Sequence, residues 1–497
     1  MYDFVFPNYK HQATEFELHR DDPARALIWQ MRTGKTKSMV DLACYLWKAC
    51  EIDAVIVVAP NNVHLNWQRR ELPKHHWLSV PYTAFVWDSV KSANINYDID
   101  FDRHCGETHK LKWYMANAEA LGNTKGRKYM SQFLKSCWRV LLIVDEVHEF
   151  RWATSKRSHG LRAVANQSKV AYRRILSANP TDNSPLHAFA EYEILQPGAL
   201  GFEKFTDFEA QYAIKEEIYI PGGYSKAGIK RPPRKHLSVT GYKNQDMLRA
   251  QIAKWSSLVL RNEVEELPEL IHGRAEFELL PIQKRLHNDL VRGALARLDG
   301  GEFIPPAEGG VLVIRLQQIA SGFVVDDEGT VHDLMEDKDN PRLQALLAVA
   351  REVPGKFIVW CRFREDVLRV TRFLNTQAFG AVDYYGGTAK RNRVYHEDRF
   401  RNDPYCKVLV GQYQAGGQGL DFSVASDIFW YSHTSDLLRR RQADERATQM
   451  GGRKIGVTDI VATGSNDDKM LADLESRNVT ADYLMGTGLR RYLDLIR

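Results

Sequence analysis

Short runs rich in Val, Ile and Leu recur along the chain, each leading through a polar or glycine-bearing turn into a segment with apolar residues at helical spacing. One series lies at 26–30, 54–59, 140–144 and 174–177, and a second at 356–360, 407–410, 427–431 and 459–462. Continuous apolar strands alternating with helices predict parallel sheets covered on both faces. Two such series, separated by a long gap, predict an α/β protein of two lobes.

The gap has a different texture. From about Tyr219 to Met335 a basic Pro/Gly-rich stretch, PGGYSKAGIKRPPRKH, precedes amphipathic helical patterns such as 283–298. This predicts a helical insertion or bridge, with NPRLQALLAVARE as the first helix of the second lobe, near Asp339. The expected organisation is a first lobe over 1–215, the basic loop and bridge over 216–336, and a second lobe over 337–497. A chain of 497 residues exceeds what one hydrophobic core supports, about 250–300 residues, which fits this division.

Composition narrows the class only slightly. The 44% apolar and 26% charged residues are those of an ordinary globular protein. Lys plus Arg outnumber Asp plus Glu by 68 to 63 and the pI is about 8.7, a balance that permits nucleic acid without requiring it. The six cysteines are scattered with no C-x-x-C pair, which points away from a zinc module and towards a reducing, cytoplasmic setting. No signal peptide opens the chain and no window has the ~18 apolar residues of a membrane span, so no membrane partner is expected.

Chemistry enters at the end of the first strand, where Gln30-Met31-Arg32-Thr33-Gly34-Lys35-Thr36 leads into the helical pattern SMVDLACYLWKA. A loop of this kind at a helix start aims backbone N–H groups at a phosphate, the lysine reaches the outer phosphates and the threonine hydroxyl coordinates Mg²⁺. Gln30 takes the place of the first glycine of the full G-x-x-x-x-G-K-[ST] pattern, and a bare G-K-[ST] arises by chance about 0.2 times in a chain this long. The second signal is independent: the run VLLIV delivers Asp145-Glu146-Val147-His148 at the C-terminal edge of a strand, where open α/β sheets place ligand groups. Asp145 is suited to hold Mg²⁺ and Glu146 to orient and deprotonate an attacking water.

The order of these motifs resembles superfamily 2 helicases, and among them the SWI/SNF-type DNA translocases with a DEAD/DEAH-like box. Tyr9-Lys10-His11-Gln12 is similar to the family's adenine-reading segment, with Gln12 at the base-contacting position. MRTGKT resembles M-G-L-G-K-T, in which the place of Gln30 is not glycine either, whereas Arg32 replaces a glycine. DEVH resembles the D-E-A-H box, His148 included, and LSANPTDNSPLHAFAEYEILQPGALG resembles the segment coupling hydrolysis to the nucleic-acid groove, with Ser177, Asn179, Pro180 and Asn183 at matching places. RNEVEELPELIHGRAEFELLPIQKRLHNDL is similar to the bridge into the second lobe, and KFIVWCRFREDVLRVTRFL and YYGGTAKRNRVYHEDRF to that lobe's opening motifs. GGQGLD, with Gly419 and Asp421, and QADERATQMG, with Gln442 and Arg446, resemble the last two motifs. The resemblance spans almost the whole chain. It implies two RecA-like lobes of the P-loop NTPase class, ATP and Mg²⁺ in the cleft between them, Arg446 as a γ-phosphate contact, and a DNA groove across both lobes.

One departure concerns the last motif, where the family carries two arginines three residues apart and this chain has Arg446 followed by Gln449. An arginine finger is worth about 10³–10⁵ in rate, and Arg453, or one of Arg439, Arg440 and Arg441, is the substitute if the register shifts. In the basic stretch, Lys230, Arg231, Arg234 and Lys235 are candidates for phosphate contacts, against the plain alternative of a solvated connection. Tyr224 beside them is either packing or a stacking platform. The leading expectation is a DNA-dependent ATPase translocating on duplex DNA, with single-stranded DNA as an alternative substrate and a protein partner in replication, recombination or repair. The absence of zinc, reader or acidic-tail modules suggests a bacteriophage or mobile-element version in a bacterial host cytosol. Two other readings stay open: an ATP-gated DNA-binding and recruitment module that hydrolyses little, and an RNA helicase.

Overall fold

The computed structural model describes residues 2–476 apart from 62, 153, 179–183, 221–222, 225–229, 232–233, 260–263, 265–269, 300–305, 327, 417–421, 449–451 and 453. The chain divides into two compact units, Met1–Val264 and Glu265–Arg497. Among the described residues no helix is long and apolar enough to cross a membrane.

The first unit begins with β1 (Ala24–Trp29), β2 (Ala54–Ala59), β3 (Tyr82–Val86), β4 (Leu111–Asn117), β5 (Val140–Asp145) and β6 (Val170–Ser177). Next come β7 (Ala213–Ile220), β8 (Gly223–Tyr224), β9 (Lys230–Arg231), β10 (Arg234–Tyr242) and β11 (Ser256–Val259). Seven strands form one sheet in the order β11-β1-β6-β5-β2-β4-β3, and every neighbouring pair is parallel. All residues of β1, β2 and β5 are buried, as strands covered on both faces must be. Even Arg25 within β1 is buried, its guanidinium 3.3 Å from the Glu15 carboxylate. The predicted apolar runs thus fall on the central strands, while the edge strands β3 and β11 had given no comparable signal.

The stretch carrying the basic residues is framed by strands. β7 and β10 pair antiparallel, with a register irregularity between Val239 and Gly241, and β8 pairs antiparallel with β9. Lys230, Arg231, Arg234 and Lys235 lie on β9 and β10. Ile214, Lys215, Glu216 and Glu217 of β7 are all exposed, so both faces of this part of the strand meet solvent.

The second unit contains β12 (Leu270–Phe277), β13 (Phe323–Val325), β14 (Val331–Asp333), β15 (Lys356–Cys361), β16 (Ala381–Tyr384), β17 (Val408–Gln412), β18 (Ala425–Trp430) and β19 (Ile455–Ala462). Six of them make an all-parallel sheet in the order β12-β19-β18-β15-β17-β16, and β13 and β14 form an antiparallel pair apart from it. The sheet takes its edge strand from β12, well ahead of the helix Pro341–Glu352. That helix starts as its sequence requires: Pro341 sits in the first turn, and the Asn340 side chain accepts from the N–H groups of Arg342 and Leu343 at 3.0 and 3.4 Å. Between β12 and β13 the helices Pro281–Asp299 and Pro306–Ser321 pack through Val291, Ala294, Leu295 and Leu316. The two parallel sheets establish the two-lobed α/β architecture.

A buried polar network joins this unit's helices to its sheet. Asp366 accepts from the hydroxyls of Ser432 (2.6 Å) and Ser321 (3.4 Å), and Ser321 also receives Arg342 at 3.1 Å. Burial pushes the Asp366 carboxyl up to about 6, against the opposing pull of Ser432, Arg342, Ser321 and Arg369. A carboxyl whose folded pKa lies above its unfolded value of 3.8 binds its proton more tightly in the folded state. Its ionisation therefore costs stability as pH rises from about 4 through 6, on the order of 3 kcal/mol in all. Asp366→Asn removes the charge but keeps an acceptor. Measured by urea unfolding, its stability relative to the parent should be more favourable at pH 8 than at pH 5, by about 1–3 kcal/mol. An identical difference at both pH values would show that Asp366 carries no such linkage.

Candidate nucleotide site

The C-terminal ends of three adjacent strands, β1, β6 and β5, lie level in the first sheet: Ile28 is opposite Ser177, and Leu176 is opposite Asp145. The three sequence motifs of this unit therefore leave the sheet side by side. The phosphate loop follows β1, Ser177 ends β6, and the acidic pair ends β5.

The loop is wound tightly before the helix Lys35–Lys48 begins. Thr33 Oγ1 donates to the Gln30 carbonyl at 2.7 Å, and Gly34 stands at the helix start with φ +84°. A Cβ on Gly34 would overlap the Gln12 amide nitrogen, so only glycine fits the backbone angle and the space together. Lys35 is buried, and its ammonium donates to the carbonyls of Trp29 (2.6 Å) and Gln30 (3.3 Å). Thr36 and Met31 are partly exposed on the same turn.

Arg32, which stands where the resemblance expects glycine, has φ +65°. The loop keeps the left-handed turn that glycine would adopt freely and imposes it on an arginine, at a cost of about 1–2 kcal/mol. A β-branched residue tolerates that conformation least. Arg32→Val should therefore be about 1–2 kcal/mol less stable than Arg32→Gly in urea unfolding. Equal stabilities would mean that the turn is not held left-handed.

The helix Lys10–His19 supports the loop from the side. Gln12 is buried, its carbonyl oxygen accepting from the Tyr9 N–H at 2.9 Å and its amide donating to the Gly34 carbonyl at 3.1 Å. Next to it in the chain, His11 donates to the Thr33 carbonyl at 2.7 Å and meets the Trp29 ring edge-on at 5.0 Å. The helix is pinned to β6 by Arg174, whose guanidinium donates to the carbonyls of His19 (3.2 Å) and Asp22 (2.8 Å).

At the end of β5, Asp145 is buried and its Oδ2 accepts from the Trp67 indole N–H at 3.1 Å. Burial, then the neighbouring Glu146 charge, pushes the Asp145 carboxyl up to about 6, while the Trp67 hydrogen bond and the Lys35 ammonium pull it down. Glu146 has φ +53° and ψ +59°, so the chain turns sharply out of the strand into the short helix Val147–Phe150. Its Oε2 is buried without a hydrogen-bond partner among the described residues, 3.4 Å from His148 Nδ1. Strained backbone and an unsatisfied carboxylate oxygen at one strand end are features that cluster at functional sites.

In the second unit Arg446 is buried in the short helix Glu445–Ala447, and Gln442 is buried one turn earlier. Two of the suggested substitutes for a finger are already engaged. Arg440 pairs with Asp459 at 2.5 Å and lies over the Trp430 ring at 4.6 Å, and Arg439 pairs with Asp436 at 3.2 Å. Asn179, Pro180, Asn183, Gly419, Asp421, Gln449 and Arg453 lie outside the described residues, as do the side chains of Lys230, Arg231, Arg234 and Lys235. Trp67 was not foreseen from sequence; a tryptophan shortly before a proline in a helical pattern is the signal that marks it.

Comparison with known proteins agrees with this arrangement. The SNF2-related domain matches residues 9–286 and the helicase conserved C-terminal domain matches residues 340–453. The human DNA annealing helicase and endonuclease ZRANB3 is 22% identical over 70% of this chain and 30% of its own length. The TATA-binding protein-associated factor BTAF1 of Arabidopsis thaliana is 21% identical over 69% of this chain and 19% of its own. The chain thus matches a third or less of each of these relatives. A Sulfolobus solfataricus SWI2/SNF2 ATPase core in complex with dsDNA aligns over 99% of this chain and 96% of its own, with a TM-score of 0.41 and 16% identity. With more than half of its residues inside the SNF2-related match and the helicase C-terminal match following in order, the chain belongs to the SNF2-related family.

Proposed function

We propose that this protein is a DNA-dependent ATPase that couples ATP hydrolysis to movement along duplex DNA. The observation carrying this reading is the convergence of the phosphate loop, Ser177 and the Asp145–Glu146 pair on three adjacent strand ends. The loop's backbone N–H groups at the helix start cradle the phosphates, and Lys35 exchanges its two carbonyl acceptors for phosphate oxygens. Among the described residues no cluster of three or more His, Cys, Asp or Glu could cage a metal. A divalent ion here would be held by Thr36 and Asp145 and completed by phosphates and water, which is how Mg²⁺ accompanies nucleotides. Bound there, Mg²⁺ would neutralise charge developing on the phosphate oxygens. Glu146, with one buried oxygen that makes no hydrogen bond among the described residues, orients the attacking water and takes its proton. Gln12 holds the adenine side of the loop, while His148 and Ser177 sit where a change at the acidic pair passes to the rest of the unit. In the second unit, Arg446 and Gln442 carry the roles that family membership suggests for them, with Gly419 and Asp421.

The relative ZRANB3 is a DNA annealing helicase, which supports DNA over RNA as the track. The test is steady-state hydrolysis measured without nucleic acid, with duplex DNA, with single-stranded DNA and with RNA. Strong duplex stimulation is expected, and equal or greater stimulation by RNA would overturn the choice of track. A second reading, ATP-gated binding with little hydrolysis, is favoured by Gln449 together with the engagement of Arg439 and Arg440 elsewhere. ATP-dependent DNA binding without multiple turnover would select it.

A further inference from the structure

The partner of Asp145 comes from an irregular helix. Residues 63–75 run as one helix of three parts: α-helical over Val63–Asn66, π-helical over Trp67–Glu71 and α-helical again over Leu72–His75. The widened turn is visible in its hydrogen bond, from the Leu72 N–H to the Trp67 carbonyl five residues back, and normal four-residue spacing resumes with His76 to Leu72 at 3.0 Å. The sequence supplies the cause. Pro73 has no N–H to offer the Arg69 carbonyl and its ring collides with the carbonyl four residues back, so the helix opens by one residue at this point.

The widened turn places Trp67, 1% exposed, with its indole N–H on Asp145 Oδ2 at 3.1 Å. Its ring lies 6.2 Å from that of Trp113 on β4, and Trp113 in turn donates to His76 Nε2 at 3.3 Å. Both ends of the irregular stretch are thereby tied to one strand, which fixes the indole against sliding. A buried carboxylate held through one oxygen has its plane set and presents the other oxygen in a fixed direction. Partners that orient a ligating group in this way typically change metal affinity by about 10–100-fold when removed.

We propose that Trp67 is a positioning residue for the Asp145 carboxylate, and that the π-turn imposed by Pro73 is the device that delivers it. The inference rests on the nucleotide-site reading above. Trp67 touches neither nucleotide nor metal, and it acts by holding the carboxylate that does.

The test is Trp67→Phe, which keeps the ring in the core and deletes only the donor. Trp77→Phe is a matched control, because Trp77 Nε1 donates at 2.7 Å to another buried carboxylate of the same unit, Asp41. For the parent and both variants, a fluorescent ATP analogue is titrated at graded Mg²⁺ and in EDTA, and thermal unfolding is followed without nucleotide. Trp67→Phe is expected to raise the Mg²⁺ concentration needed for half-maximal binding about tenfold or more, leaving binding in EDTA unchanged. Trp77→Phe should lower the unfolding midpoint by a similar amount without moving the Mg²⁺ requirement. An unchanged Mg²⁺ requirement in Trp67→Phe, or an equal loss of binding with and without Mg²⁺, overturns the inference and leaves the nucleotide site standing. Failure of the parent to bind the analogue under any condition overturns both.

Discussion

Replacing Glu146 by glutamine is expected to lower duplex-stimulated ATP turnover by about 10²–10⁴-fold while ATP binding persists. The change is nearly isosteric, and it alters one property, the ability to accept a proton from water. Because Glu146 Oε2 makes no hydrogen bond among the described residues and only a 3.4 Å approach to His148 Nδ1, the amide breaks no hydrogen bond there, and thermal unfolding should move little. Removing the charge also removes one of the three causes that push Asp145 up, the others being burial and the Glu71 charge, so Asp145 stays ionised to lower pH and Mg²⁺ binding is preserved or improved. The expected signature is therefore lost turnover with retained Mg²⁺·ATP affinity. Lys35→Ala should give the opposite pattern, weak binding, since that ammonium is spent on the loop and the phosphates. Turnover within tenfold of the parent in Glu146→Gln would remove Glu146 from the role of base.

What the sequence disclosed, and what it withheld, follows from the range of the forces involved. The phosphate loop and the acidic pair were legible because their chemistry demands particular residue types at close spacing, and because the strands feeding them are apolar throughout. β4 was passed over since Lys112 interrupts its apolar run. In the fold that lysine is 3% exposed, its stem in the core and its ammonium on the Ser136 carbonyl at 3.0 Å and Asp53 at 3.1 Å. β12 was read only as part of a bridge, because its partner β19 lies at the far end of the unit and no local pattern announces a pairing of that range. Arg32 was visible as a departure, but that its backbone is left-handed is a property of the loop, not of the residue. Trp67 belongs to the same class: its partner is 78 positions away and meets it only through the widened turn.

The largest stability effect is expected at Arg342, which together with Asp467 is wholly buried in the second unit. Arg342 reaches Asp467 with one guanidinium nitrogen and Ser321 with another, and lies between the rings of Phe277 and Tyr431 at 5.3 and 5.6 Å. It thereby ties the starts of the helices Pro341–Glu352 and Asn466–Ser476 to the end of Pro306–Ser321. Arg342→Leu would leave the Asp467 carboxylate in the core with little more than the Ala462 N–H at 3.3 Å, a loss of about 3–5 kcal/mol. Against a total stability of about 5–15 kcal/mol, that is enough to lower the urea midpoint of this unit clearly. Desolvating two charges costs nearly what their attraction returns, so the double replacement Arg342→Leu with Asp467→Leu should recover most of the loss. A double variant no more stable than the single one would mean that Arg342 holds the three helices chiefly through Ser321 and the two rings, and a single variant losing less than about 1 kcal/mol would mean that water already reaches the pair.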